Sequence, residues 1–96
     1  MKMTNKKDME GISLEASFGQ VLRVLRQQKG LSQEELGFES GYHRTYVSLL
    51  ERGLKSPSLQ TIFNISKALT IETSDLIKKV EIKNREFLRN RNASRS

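Results

Sequence analysis

From Leu14 to Leu25 the apolar residues Leu14, Phe18, Val21, Leu22 and Leu25 advance in steps of 4, 3, 1 and 3, which winds them onto one face of an α-helix. Ser13 can cap that helix and Gly30 can stop it. Ser32 followed by Glu35 has the spacing of a capping box and predicts a second helix running to about Ser40. Gly41 then supplies a left-handed turn. A third helix, about Arg44 to Arg52, buries Val47, Leu50 and Leu49 before Gly53 ends it. Pro57 marks the next turn, and Ser58 caps a fourth helix with the stripe Leu59, Ile62, Phe63, Ile65, Ala68 and Leu69. Thr73 or Ser74 opens a short fifth helix carrying Leu76, Ile77 and Val80, with Lys78 and Lys79 at the end that favours cations.

Beyond Val80 the apolar positions thin to Ile82, Phe87 and Leu88 among many Arg and Asn. Residues 81–96 are therefore expected to form a frayed basic tail, with a helical continuation as the alternative. Residues 1–12 read as a flexible lead. The expected fold class is all-α, a compact five-helix domain over residues 13–80.

Length and composition narrow the function. Ninety-six residues suffice for one small core. Without cysteine there is no disulfide framework or thiol nucleophile, and His43, the single histidine, cannot build a metal site alone. No apolar run approaches the roughly 20 residues that span a bilayer, and the lysine-rich start lacks the core of a signal peptide. A cytoplasmic protein without a membrane partner is expected.

The net charge of +6 changes this picture less than its size suggests. Residues 11–77 carry seven basic and seven acidic groups, whereas residues 78–96 carry seven basic groups against Glu81 and Glu86. The excess sits in the tail, so an argument for nucleic acid must come from where the core places its charges.

The informative stretch is GLSQEELGFESGYHRTYVSLLERG, Gly30 to Gly53. Two helices meeting at a tight turn need a small residue at their approach, a turn residue tolerant of positive φ and an apolar β-branched anchor. Gly37, Gly41 and Val47 occupy those places, a spacing that resembles the helix-turn-helix motif. With the flanks LRQQKGLSQEEL and KSPSLQTIFNISKAL, about residues 14 to 79 resemble the Cro/repressor or Xre-type family, and HRTYVSLLERG resembles its restriction-modification controller proteins. The resemblance implies a lambda-repressor-like fold that binds double-stranded DNA as a homodimer on a palindromic operator, with helix 3 in the major groove. It also implies a core ion pair between Arg26 and Glu51, and a dimer contact at Ile71, Leu76, Ile77 and Val80. Gly37 departs from the alanine usual in the family.

The side chains support the same expectation. Arg44, Thr45 and Ser48 can share the face of helix 3 opposite Val47 and Leu50, where Arg44 suits guanine O6 and N7. Tyr46 can bond a phosphate, lie against the sugar backbone or pack over helix 4, and is expected to face DNA with Arg44 and Thr45. Gln33, Arg52 and Lys55 sit at the motif's edges, where backbone contacts position a reader. His43 reads as a cap or phosphate neighbour.

No triad, phosphate loop or carboxylate pair is recognisable, so no enzyme, cofactor or small-molecule substrate is expected. Regulation would then work by occupancy, blocking RNA polymerase or contacting it. The competing readings are an Xre-like antitoxin whose tail binds a partner protein, and a purely structural helical domain.

Overall fold

The computed structural model describes residues 13–95, with side chains through Asn90. The expected N-terminal lead, residues 1–12, lies outside them. The described chain is five helices without a strand: α1 Leu14–Gln28, α2 Gln33–Ser40, α3 Arg44–Glu51, α4 Leu59–Ala68 and α5 Thr73–Arg95.

Local chemistry sets the helix ends. The hydroxyls of Ser13 and Ser58 accept from the backbone N–H groups of Ala16 and Thr61. Ser32 and Glu35 exchange both bonds of the capping box. Gly41 leaves α2 at φ 87°, where a side chain would be strained.

The helices then close around one core. α1 lies against α3 and α5, α2 against α3 and α4, and α4 against α5. Leu22, Leu36, Val47, Leu50, Ile65 and Leu76 are fully buried. Each contributes about 1.5–3 kcal/mol of hydrophobic stabilisation before conformational entropy is counted.

Two glycines decide how closely α1, α2 and α3 pack. A Cβ on Gly37 would meet the carbonyl oxygen of Tyr42 at 2.5 Å, so the turn between α2 and α3 closes over a position with no room even for a methyl group. The steric requirement at Gly37 outweighs the ordinary cost of a glycine within a helix. Gly19 plays the same part for α1, where a Cβ would lie 2.4 Å from the carbonyl oxygen of Leu50. That approach lets α1 cross the end of α3.

Several expectations are corrected. α5 does not fray after Val80 but continues through Arg95. The extension has no Gly or Pro to break it, and Ser17 Oγ donates to Asn84 Oδ1 at 3.0 Å, tying it to α1. Lys83 pairs with Glu86 at 3.2 Å and lies over the Phe87 ring. Leu76 and Val80, expected at a dimer contact, are buried in the monomer's own core, while Ile77 is exposed and Ile71 half-buried. Leu14, Leu59 and Phe63 belong to the predicted stripes but stand exposed; Leu59 and Phe63 lie one turn apart at the margin of the face that buries Thr61, Ile65 and Leu69.

Candidate nucleic-acid interface

α3 has one buried and one bare face. Val47 and Leu50 are fully buried, Ser48 is half-buried, and Arg44 and Thr45 are exposed on the first turn. His43 caps the helix, its Nδ1 accepting from the Thr45 N–H at 3.0 Å. The cap sets the start of α3 and so the place where Arg44 and Thr45 project. Arg44 keeps 66% of its side chain exposed, and Glu34 stands 3.9 Å from its guanidinium. A pair so exposed is weak, which leaves the guanidinium available to another acceptor.

Arg52 and Lys55 are exposed just beyond α3. Tyr46 is placed differently. It is half-buried, its ring lies 5.1 Å from that of Tyr42, and its hydroxyl reaches Thr61 Oγ1 at 3.4 Å. Its ring and hydroxyl thus pack over α4. Tyr42 donates to the same Thr61 oxygen at 3.0 Å and accepts from Asn64 Nδ2 at 3.0 Å. A neutral hydroxyl cluster thus fastens the start of α3 to α4.

The other end of α3 is fastened by charge. Arg26 Nε donates to Glu51 Oε2 at 2.6 Å and Nη2 donates to Oε1 at 3.0 Å, while Nη1 donates to the Leu31 carbonyl at 2.8 Å. The two side chains are 11% and 3% exposed. The hydrogen bonds to Glu51 raise the Arg26 pKa above its ordinary value against the opposing effect of burial, so the guanidinium stays charged. Gln33 joins this pair: its Nε2 donates to Glu51 Oε1 at 3.0 Å. Gln33 is half-buried at the first position of α2.

Neither the Gln33–Glu51 bond nor the cluster of Tyr42, Thr61 and Asn64 has a signal in local spacing. The partners are 18 to 22 residues apart in two of these bonds. On the flank of α2, Phe38 is 88% exposed among Glu34, Glu35 and Glu39. That side of α2 is acidic, in contrast to the face on which α3 bares Arg44.

Two short helices locked at a glycine-lined turn, the second baring Arg44 and Thr45, define a helix-turn-helix motif. The family model described as helix-turn-helix matches residues 22–76, and the chain belongs to that family, in its Xre-type form. Within it the chain resembles the controller proteins of restriction-modification systems. It is 49% identical over 61 residues to control protein C.BamHI of Bacillus amyloliquefaciens, covering 62% of this chain and 75% of that one. The crystal structure of controller protein C.AhdI from Aeromonas hydrophila matches with a TM-score of 0.63 and 50% identity, over 65% of this chain and 94% of its own. The controller C.Esp1396I, solved as a tetramer in complex with its natural 35 base-pair operator, matches with a TM-score of 0.69 and 25% identity, over 75% of this chain and 95% of its own.

Proposed function

We propose that this chain is a sequence-specific double-stranded-DNA-binding transcriptional regulator that places α3 in the major groove of a palindromic operator as a homodimer. The observation that carries the reading is the two-sidedness of α3: Val47 and Leu50 in the core, Arg44 and Thr45 bare. Operator binding by the related C.Esp1396I supports it. Arg44 reads a guanine through paired N–H donors, Thr45 and Ser48 meet neighbouring base edges or phosphates, and Gln33, Arg52 and Lys55 grip the backbone. Tyr46 acts indirectly by bracing α3 on Thr61.

A single module makes few base contacts, so two copies are needed for high specificity. Dimerisation falls to the α4–α5 turn, where exposed Phe63 and half-buried Ile71 share a cleft with Gln60 and Lys67, and to exposed Ile77 on α5. We read the protein as non-enzymatic and cytoplasmic; among the described residues no helix is long and apolar enough to cross a membrane. Occupancy of an operator, with or without contact to RNA polymerase, is the mode of control. The antitoxin reading depended on a tail that orders on a partner; here Asn84 already bonds to Ser17 within the chain.

Selection of bound sequences from random duplex DNA tests the proposal, repeated with Arg44→Ala after circular dichroism has verified its fold. A palindromic site whose guanine preference relaxes in the variant, at a cost of ~1–3 kcal/mol, is the expected result. Equal binding by both proteins that disappears in modest salt would overturn it, leaving only attraction to the basic tail.

A further inference from the structure

Phe38 is the most exposed large apolar side chain among the described residues, and it stands on α2 in one patch with Glu34, Glu35 and Glu39. A single exposed aromatic is ordinary on a protein surface, but this chain also carries an open groove of suitable size and opposite charge. The groove, about 300 Å³, runs between α1 and α5 with Val21, Val24, Leu25 and Ile82 as its apolar lining. Val24 and Ile82 are exposed there. Its charged residues are Lys79, Lys83 and Glu86; Lys83 pairs with Glu86, which leaves Lys79 without an anionic partner among the described residues. Two other clefts carry the wrong sign for the acidic patch. The one lined by Leu14, Phe18 and Ile62 has Glu15 and Glu81, and the one beside Phe63 and Ile71 has Glu72 and Asp75 against Lys67.

We propose that Phe38 of one copy docks in the α1–α5 groove of a second copy, with Glu39 meeting Lys79. A chain does not fill its own groove, because α2 packs on α3 and α4 and leaves Phe38 bare. A phenylalanine buries about 150–250 Å² when enclosed, and opposite charges around it fix the orientation of the partner. The contact is heterologous: ring and groove are different surfaces, so copies join head to tail. It is separate from the α4–α5 contact proposed above and does not depend on DNA. Lys79, Ile82, Lys83 and Glu86 lie beyond residues 22–76 of the helix-turn-helix match, so the α5 half of the groove is no part of what defines the family.

Sedimentation velocity of the full chain over a rising concentration series, without DNA, reads the contact as association beyond a dimer. Phe38→Ser and Ile82→Glu, each verified as folded by circular dichroism, should each weaken that association by roughly ten- to a hundredfold. Mixing the two variants should restore it, because one keeps the groove and the other keeps the ring. No association beyond a dimer in the unaltered protein would overturn the proposal and leave Phe38 to a different partner. So would a loss in only one variant, or a loss in both that mixing does not repair. If Ile82→Glu does not fold, Val24→Glu spoils the same groove from α1.

Two further readouts fix the register. Lys79→Glu should weaken the association, and adding Glu39→Lys to the same chain should recover it; an exchange that recovers nothing sinks the pairing. In nuclear magnetic resonance the methyl signals of Val24 and Ile82 should move with concentration in the unaltered protein and stay fixed in Phe38→Ser. Signals fixed in both proteins would show that the ring does not enter this groove.

Discussion

The two ends of α3 are fastened by different chemistry. At its start, the hydroxyls of Tyr42 and Tyr46 converge on Thr61 of α4, with Asn64 donating to Tyr42. At its finish, Glu51 is clamped by the Arg26 fork from α1 and by Gln33 from α2. The first cluster is neutral, so losing one hydroxyl strands no charge. The second contains two buried charges, and losing one strands the other. A short helix of 8 residues has little stability of its own, so these fastenings largely determine how it is held.

The comparison breaks most sharply at the charged end. Glu51→Ala should cost ~3–5 kcal/mol in a denaturant titration, because Arg26 then keeps its charge in a largely buried site without a partner carboxylate. A loss below about 1 kcal/mol would mean that the site relaxes and hydrates the guanidinium. Next in size is Gly37→Ala at the turn leading to the neutral end. Helix propensity alone predicts a gain of ~1 kcal/mol, whereas the 2.5 Å approach to Tyr42 predicts a net loss of ~1–3 kcal/mol. The sign of the change in thermal midpoint decides between them.

The neutral end should be more forgiving. Thr61→Val removes the shared acceptor but leaves Asn64 bonded to Tyr42, so a loss of ~1 kcal/mol is expected in the same titration. An effect as large as that of Glu51→Ala would erase the distinction between the two ends.

Acid gives the smallest and most selective effect. The Glu35 pKa lies below its ordinary value of 4.5, chiefly because its carboxylate accepts from the Ser32 N–H, with the nearby Ser32 hydroxyl adding to the effect. Its folded pKa is lowered, so the capping box contributes stability above pH 4.5 and loses it as pH falls through the lower folded value. Thermal midpoints of Glu35→Gln should therefore fall less steeply with acidification than those of the unaltered protein. Parallel curves would show that the box is not what acid removes from the side of α2 next to Gln33.

The fold was legible where its causes are local. Ser13, Ser32 and Ser58 announce helix starts, Gly41 announces an end, and the steps between apolar residues mark the buried faces. What periodicity does not carry is the margin of a face or the identity of what covers it. It left Leu59 and Phe63 in the predicted core and could not distinguish Leu76 and Val80 as core residues from a dimer contact. The continuation of α5 depends on Asn84 meeting Ser17 across 67 residues of chain. At the candidate site, the exposure of Arg44 and Thr45 follows from helical phase opposite Val47. The fastening of Gln33 to Glu51 and of Tyr46 to Thr61 depends on how three helices dock, which local spacing does not encode.

The division of α3 into two faces also separates what can drift from what cannot. Val47, Leu50 and Glu51 are constrained by neighbours in the protein's interior, and their replacement is a folding problem. The side chains of Arg44 and Thr45 have no interior partner among the described residues beyond the loose approach of Arg44 to Glu34. On the function proposed above, a lineage could therefore rewrite the site it recognises, one side chain at a time, while inheriting the interior unchanged.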